Sequence, residues 1–271
     1  MTLRLLLMSA LLTVAASRGA ATAIIAHRGA SYDAPENTLG SLRLGYAQGA
    51  DAGELDIHLS ADGRVVVIHD YDTKRVAGVD RKVVDQTSAE LAALEAGQWG
   101  KWKGSAHREK VPLLADVLAL VPAGQRLFIE IKVGPEILPE LVRVIRASGV
   151  APQQLPIITF GYETARAAKL ALPAHEVCWL SGYEEDKTTG RGPDIDDLIK
   201  KVRAAGLDGL DLHWKFPIDA AFVGKVHAAG LKLYTWTVDD PVVARAQRAA
   251  GVDGITTNRP AWLRAQLDAQ P

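Results

Sequence analysis

Charged side chains interrupt two apolar segments of this chain at a spacing of two residues. Glu54 and Asp56 are paired in this way in one segment, and Glu130 and Lys132 in another. Side chains two residues apart lie on the same face of a β-strand. A single carboxylate in a strand is more often half of a salt bridge, but several buried charges are costly unless they are paired or bind a metal ion. The spacing therefore predicts that these four side chains share a functional site.

Histidine and arginine side chains follow two further apolar segments. His27 and Arg28 end the first segment, and His69 follows the run 64–68. Two histidines can divide the roles of general base and general acid near neutral pH, and an arginine fork binds phosphate oxygens. Carboxylates are hard ligands that favour Ca²⁺, Mg²⁺ or Mn²⁺ over zinc. Each residue alone has an ordinary structural explanation, but together they predict metal-assisted phosphoryl transfer on a diester.

The elements that must position these groups are short apolar runs alternating with helical stretches. A small residue and a glycine recur where helices should end, and several of these pairs precede strand-like runs. This repeat implies a parallel sheet. The predicted strands are 24–27, 53–57, 127–132, 156–160, 176–180, 209–213, 232–238 and 254–257. Eight strands are the number in a closed (β/α)8 TIM barrel, whose catalytic groups lie at the C-terminal strand ends, and we predict a single α/β domain of that kind.

Two segments do not fit the simple repeat. The run 64–68 follows the second strand after a short turn at Asp62-Gly63, which predicts an appended β-hairpin. Residues 71–110 are irregular, and we interpret them as a short insertion over one end of the barrel. A doubly wound open sheet is the alternative fold, because a count of strands does not prove closure. Its usual GxGxxG fingerprint is absent after the first strand.

The composition is that of a folded, enzyme-sized chain. Of 271 residues, 48% are hydrophobic and 23% are charged, and 31 basic against 32 acidic residues give a net charge of −1. Such a charge does not attract nucleic acid or anionic lipid. The one cysteine of the sequence, Cys178, lies in an apolar stretch, which predicts a buried and unreactive thiol. Nothing in the composition indicates an oligomeric state.

The first 23 residues have the pattern of a secretory signal peptide. Arg4 gives a positive start, residues 5–16 form an apolar run, and Ala21-Thr22-Ala23 is a small-residue cleavage signal. The apolar run is shorter than the roughly 20 residues of a membrane-spanning helix, and no second long run follows. We therefore predict export to the periplasm or beyond, with residues 24–271 as the mature catalytic domain and no stable membrane insertion.

Several motifs of the sequence together form a family signature. The most specific are His27-Arg28-Gly29 and Pro35-Glu36-Asn37-Thr38. The others are Glu54-Leu55-Asp56, Asp62-Gly63, Val66-Val67-Ile68-His69-Asp70, Glu130-Ile131-Lys132, Trp236-Thr237-Val238 and the segment 251–260. With these motifs the chain resembles the glycerophosphodiester phosphodiesterase family, within the wider group of phospholipase-C-like barrel phosphodiesterases. The resemblance covers essentially the whole mature chain.

This resemblance implies the catalytic roles of the matching residues. The family's metal ligands match Glu54, Asp56 and Glu130, so a divalent cation, Ca²⁺ or Mg²⁺, is the expected cofactor. Its acid and base histidines match His27 and His69. From their positions in the chain, we predict that His27 is the general base and that His69 is the general acid.

The resemblance also implies substrate contacts. Arg28 and Lys132 match the residues that contact the phosphate, and Trp236 matches an aromatic residue that lines the site. Glu36 matches a position that orients the neighbouring site groups. His213, at the end of the sixth predicted strand, is a further candidate for contact with the alcohol or the phosphate.

The activity implied is the hydrolysis of a small-molecule glycerophosphodiester to glycerol 3-phosphate and an alcohol such as choline or ethanolamine. One alternative is a lysophospholipase D or a sphingomyelinase-D-like enzyme acting on lipids. That alternative needs an apolar channel or a docking surface, and the sequence has no basic amphipathic helix to supply one. A second alternative is a binding protein on an inactive barrel, which would have lost a metal ligand or a histidine. Every expected group is present.

Overall fold

The structure is a computed structural model that describes residues 22–188 and 190–269. Its described residues form nine strands, β1 to β9 in chain order. They are Ala23–Ala26, Ala52–Leu59, Val65–Val67, Arg126–Ile131, Ile157–Thr159, Val177–Ser181, Gly209–His213, Lys232–Trp236 and Gly254–Thr257. The α-helices α1 to α10 of the same residues are Leu39–Ala47, Lys74–Ala77, Ser88–Ala93, Leu114–Leu118, Leu138–Ser148, Tyr162–Ala171, Ile195–Ala204, Ala220–Ala228, Pro241–Ala250 and Pro260–Asp268. Short 3-10 helices cover Val83–Asp85, Gly100–Trp102, Pro135–Ile137 and Pro152–Gln154.

Eight of these strands close into a parallel barrel. Around the barrel the strands follow the order β1, β2, β4, β5, β6, β7, β8 and β9. β1 closes the ring because it pairs in parallel with both β2, at Ile25 opposite Ala52, and β9, at Ile25 opposite Thr256. The predicted (β/α)8 TIM barrel is confirmed, and the open doubly wound sheet is wrong.

The predicted hairpin is also confirmed. β3 pairs with β2 and runs antiparallel to it, with Ile57 opposite Val67, and its Val66 also bridges to Leu113. The insertion that follows contains α2, α3 and two 3-10 turns, and it has a small apolar core of its own around Val76, Val83 and Leu91. This core packs on Val66 and Ile68, beside the first strands of the barrel. The insertion therefore holds α2 close to the barrel mouth.

The alternation of side chains along each strand separates two apolar layers. Leu55 and Ile57 face outward and pack against the helices, whereas Phe128, Cys178 and Tyr234 fill the barrel interior. Cys178 is fully buried there, and burial raises its pKa well above the ordinary value, as expected for an unreactive thiol. At the C-terminal ends of the strands, the inward-facing positions of the same alternation carry charged residues, which line the mouth of the barrel.

Close packing inside the barrel requires glycine at one strand position. A Cβ atom on Gly254 would lie 2.9 Å from the Tyr234 ring, so the aromatic side chain occupies the space that a larger residue would need. The ring of Phe128 packs edge-on against Tyr234 at 5.0 Å. These two rings fill the barrel below the charged layer.

Some predicted strand ends differ from the observed ones. β8 ends at Trp236 rather than at residue 238, because its ladder with β7 stops at the pair His213–Trp236. β4 ends at Ile131, so Lys132 is the first residue beyond it. This position leaves the lysine side chain at the barrel mouth.

Most of the predicted signal peptide, residues 1–21, lies outside the described residues. Thr22 and Ala23 are described: the Thr22 hydroxyl donates to the Val252 carbonyl at 2.9 Å, and Ala23 pairs with Gly254. Across the described part of the chain, no helix combines the length and the apolar character needed to cross a membrane.

Candidate active site

Three carboxylates from two neighbouring strands meet at the C-terminal mouth of the barrel. Glu54 and Asp56 extend from β2 and Glu130 from β4, and Asp56 lies directly opposite Glu130 in the strand register. One oxygen atom of each residue lies within 4.8 Å of the others. All three side chains are buried. The structure thus brings together the three carboxylates that the sequence spacing groups.

The three carboxylates are buried side by side, which disfavours the ionised form of Glu54 and Glu130. Burial and the charges of Asp56 and Glu130 raise the pKa of Glu54 well above its ordinary value. Burial and the charge of Asp56 likewise raise the pKa of Glu130 to about 7. Asp56 is also buried, but the charges of Arg28 and Lys132 lower its pKa to about 2. Its Oδ1 atom nevertheless has no hydrogen-bond partner among the described residues.

Those features fit a hard divalent cation. Such an ion prefers carboxylate oxygens, would compensate the mutual repulsion of the three groups, and would satisfy the Asp56 oxygen that accepts no hydrogen bond. No other group of three metal-ligating side chains occurs among residues 22–188 and 190–269.

A left-handed turn after β1 directs Arg28 into the cluster. Arg28 has a φ of 54° and Gly29 a φ of 79°, a backbone path in which a Cβ atom on Gly29 would lie 2.4 Å from the backbone of Ser41. The turn lets the Arg28 backbone N–H donate to Glu54 Oε2 at 2.7 Å. The guanidinium Nε lies 3.3 Å from Asp56 Oδ2. This geometry explains why arginine is followed by glycine in the motif.

Lys132 and Asn37 contact the same carboxylates. The Lys132 ammonium donates to Glu130 Oε1 at 2.7 Å and lies 3.5 Å from Asp56 Oδ1. The Asn37 amide donates to Asp56 Oδ2 at 2.8 Å, and its oxygen accepts from the Asp56 backbone N–H at 3.1 Å. Asn37 has a φ of 56°, a conformation that asparagine tolerates better than most residues. The asparagine therefore fixes the orientation of one carboxylate.

His27 is held by an amide oxygen from the other end of the chain. Its Nδ1 atom lies 2.7 Å from Asn258 Oδ1, and the Asn258 amide donates to Asp239 Oδ2 at 2.6 Å. Because that amide nitrogen is engaged as a donor, the opposite oxygen accepts from His27 Nδ1–H, which leaves Nε2 with a lone pair. Burial and the neighbouring Arg28 lower the pKa of His27 to about 4. A neutral imidazole with a free Nε2 can accept a proton.

His69 is held by a carboxylate. Its Nδ1 atom lies 2.7 Å from Asp70 Oδ1. Arg75, on α2 of the insertion, donates to both oxygens of Asp70 and to both oxygens of Glu36. Glu36 in turn accepts from Arg28 at 2.9 Å. A continuous network of hydrogen bonds thus joins His69 to Arg28 through Asp70, Arg75 and Glu36.

Two connected spaces open over this cluster. A cavity of about 80 Å³ is lined by His27, Glu54, Glu130 and Trp236. An open groove of about 950 Å³ adjoins it on the side of His69. The cavity and the groove share His69, Glu130, Lys132 and Phe160. A ligand in the cavity could therefore extend into the groove past His69.

The predicted substrate-contact residues are not all equally close to this space. Trp236 lines the cavity, and Phe160 packs edge-on against it at 5.4 Å. His213 is not among the described residues that line the cavity or the groove; its ring packs against Trp236 at 5.0 Å. A role of His213 in substrate contact stays a prediction.

Sequence reasoning did not assign roles to five residues of the site region. They are Asn37, Arg75, Asp211, Asp239 and Asn258. Asn37 and Asn258 lie within motifs that carried the family resemblance, so a signal for them existed. Arg75 lies in an irregular insertion and has no local signal, because its partners are distant in sequence.

Comparison with solved structures places the chain among barrel phosphodiesterases. A phosphodiesterase from Oleispira antarctica, solved in complex with the product sn-glycerol-3-phosphate, is 28% identical; the match covers 92% of this chain and 98% of that one, with a TM-score of 0.78. A putative glycerophosphoryl diester phosphodiesterase from Silicibacter pomeroyi has the same fold, with a TM-score of 0.79 at 24% identity over 91% of this chain and 93% of that one.

Sequence comparison is more specific. A glycerophosphodiester phosphodiesterase from Caldanaerobacter subterraneus subsp. tengcongensis is 32% identical over 253 residues, which cover 89% of this chain and 96% of the relative. The model of the glycerophosphoryl diester phosphodiesterase family matches residues 27–262. The chain belongs to this family, and it is an enzyme of the phosphoric diester hydrolase class.

Proposed function

We propose that this enzyme hydrolyses glycerophosphodiesters to glycerol 3-phosphate and an alcohol, in a metal-dependent reaction with His27 as general base and His69 as general acid. One observation carries the proposal: two differently held histidines line one cavity with a buried carboxylate cluster. The product bound to the Oleispira relative, sn-glycerol-3-phosphate, supports the choice of substrate.

Glu54, Asp56 and Glu130 would hold the divalent cation, Ca²⁺ or Mg²⁺. Bound there, the cation supplies charge that neutralises the phosphate and stabilises the transition state. Arg28 contributes a planar fork for phosphate oxygens and Lys132 a compact charge. Trp236 forms an apolar wall of the cavity.

The Nδ1 atoms of the two histidines have different hydrogen-bond partners, Asn258 for His27 and Asp70 for His69. Burial and the charge of Arg28 keep His27 in the neutral form that a base requires, because the neutral Asn258 amide raises its pKa by less than they lower it. Burial lowers the pKa of His69 below its ordinary value, and the Asp70 carboxylate opposes this shift by favouring the protonated ring, which can donate from Nε2. His27 would take a proton from the attacking hydroxyl, which belongs either to water or to the glycerol of the substrate. His69, next to the groove, would donate its proton to the departing alcohol oxygen.

A panel assay tests this function. The purified enzyme is given glycerophosphocholine, glycerophosphoethanolamine or lysophosphatidylcholine, each with calcium, magnesium or a chelator. We expect release of glycerol 3-phosphate from the first two substrates, with no turnover in chelator. Faster turnover of lysophosphatidylcholine would favour the lipid-directed alternative. Absence of turnover on all three substrates with either ion would contradict the proposal.

We also propose that the protein is exported. The support is the charged, apolar and small-residue pattern of residues 1–23. In a bacterium with an intact secretion pathway, the mature chain should begin between about residues 18 and 24. N-terminal sequencing of the extracytoplasmic fraction checks this. Recovery of an active, full-length chain from the cytoplasm alone would contradict it.

A further inference from the structure

Asp211 is a buried carboxyl in the active-site cavity that the proposed mechanism does not use. It lies on β7, its exposed fraction is 1%, and its Oδ1 atom has no hydrogen-bond partner among the described residues. An unpartnered polar atom of this kind costs about 1–3 kcal/mol of stability. Native structures retain such groups where a ligand or an ordered water satisfies them. Its place in the lining of the cavity makes a ligand the natural partner.

Asp211 faces the metal-ligand cluster from across the barrel. In the strand order, β7 is four strands away from β2 in either direction, so the two strands lie on opposite sides of the ring. Asp211 does not belong to the carboxylate group of Glu54, Asp56 and Glu130. A substrate whose phosphate lies against β2 and β4 would therefore extend the rest of its glycerol unit towards β7.

The wall around Asp211 is mainly apolar. The same cavity is lined by Ile158, Leu180 and the rings of Phe160 and Trp236. These side chains suit the carbon atoms of glycerol but offer no hydrogen bond to its hydroxyl groups. The threonines Thr237 and Thr256 are the other polar groups on the β8–β9 side of the cavity.

We propose that Asp211 is a specificity-determining residue that hydrogen-bonds the terminal hydroxyl of the substrate glycerol, the hydroxyl farthest from the phosphorus. The proposal rests on the proposed function of the same site. Burial raises the pKa of Asp211 well above its ordinary value, which favours the neutral carboxyl, a group that can donate as well as accept. A diester without that hydroxyl would leave the buried carboxyl unpaired, which is how a polar site rejects an apolar analogue.

Two substrates with the same leaving group test this role. One is the p-nitrophenyl diester of sn-glycerol 3-phosphate. The other is the p-nitrophenyl diester of propane-1,2-diol 1-phosphate, which keeps the hydroxyl next to the ester carbon and lacks the terminal one. Both can react by either route of attack. We expect the wild-type enzyme to prefer the glycerol diester by about 10- to 100-fold in kcat/KM, the value of one buried hydrogen bond.

Asp211→Ala should abolish this preference by lowering kcat/KM for the glycerol diester alone. The value for the propanediol diester should stay within about threefold, because the lost hydrogen bond was never made to it. Asp211→Asn, which keeps a donor and an acceptor of the same shape, should retain part of the preference. Neither variant should lower Tm, since the carboxyl that each removes has no partner.

Several results would overturn the inference. Equal losses on both diesters would mean that Asp211 supports the cation or the fold, and the Tm of the two variants separates these roles. Loss of the preference in Thr256→Val, with Asp211→Ala unchanged, would assign the hydroxyl to the threonine. A wild-type enzyme that cleaves both diesters equally would refute the role of Asp211 while leaving the proposed function intact. A wild-type enzyme that cleaves neither would refute the proposed function itself.

Discussion

At the residue scale, the Nδ1 atoms of His27 and His69 have different hydrogen-bond partners, and we expect the two histidines to differ in a kinetic test. His27→Ala and His69→Ala should each lower kcat for glycerophosphocholine by about 10²–10⁴-fold, the usual contribution of a general acid or base. A p-nitrophenyl diester has a good leaving group that needs no proton donor. It should therefore restore turnover in His69→Ala and not in His27→Ala. Steady-state assays of both variants on both substrates measure this.

Circular dichroism and Tm of both variants serve as controls for folding. If the activated ester rescues His27→Ala instead, the assignment of acid and base is reversed. If it rescues neither variant, His69 binds phosphate and does not donate a proton.

A second prediction at this scale concerns the residue that holds His27. Asn258→Ala removes the acceptor of the His27 Nδ1–H and leaves the ring free to rotate or to change tautomer. We expect a loss of about 10- to 100-fold in kcat with little change in KM, as found when the partner that orients a functional histidine is removed. Ser31→Ala is the matched control, because the Ser31 hydroxyl donates at 2.8 Å to the same Asn258 oxygen and forms no hydrogen bond with His27. Equal effects of the two substitutions would contradict a role in orienting the ring.

At the scale of elements, the insertion contributes α2, whose Arg75 links His69 to Arg28 through Asp70 and Glu36. Arg75→Gln removes the ion pairs with Asp70 and Glu36 at once. We expect kcat for glycerophosphocholine to fall by about tenfold or more, with a smaller loss on the p-nitrophenyl diester, because the position of His69 matters only when a proton must be donated. The ratio of the two rates measures this effect.

The insertion also supplies the control. Arg81→Gln removes an arginine of the same segment whose partner, Glu90, is exposed, as is Arg81 itself. Such a surface pair contributes at most about 1 kcal/mol, so neither Tm nor the rate ratio should change noticeably. A loss in Arg75→Gln that is equal on both substrates would mean that the helix supports the fold and not the acid.

At the scale of the whole molecule, cation binding should stabilise the barrel and should depend on pH. The pKa of Glu130 is raised to about 7, so below that pH a cation must displace a proton from the site. Apparent affinity should therefore weaken as pH falls from 8 to 6, by up to about tenfold per unit for each proton displaced. At a hundred times its Kd, the cation should add about 2.7 kcal/mol to the free energy of unfolding.

Calorimetric titration at pH 6 and pH 8 and thermal unfolding with calcium, magnesium or chelator check this. Glu130→Gln should bind the cation more weakly and should lose the part of the pH dependence that Glu130 contributes, whereas Glu54, whose pKa is also raised, retains its own part. Affinity that rises as pH falls, or a Tm that chelation leaves unchanged, would contradict cation binding by these carboxylates.

Local sequence patterns were sufficient to predict the strands, their number and the direction of the central charged side chains. The spacing of two between Glu54 and Asp56 placed both on the inner face of β2, since side-chain direction in a strand is set by local geometry. The repeat of strands and helices predicted eight parallel strands, and the short turn after β2 predicted the hairpin. Polar groups at the C-terminal ends of such strands converge because the strands share one direction.

Only the tertiary structure determines the contacts between distant parts of the chain. Asn258 holds His27 across 231 positions, because closure of the barrel brings β9 beside β1. Arg75 reaches Asp70 and Glu36 because the insertion folds back over the mouth. The opposition of Asp211 to the carboxylate cluster follows from the circular order of the strands. Periodicity fixes the direction of a side chain within its own element, but its partners depend on how the elements are arranged around the closed ring.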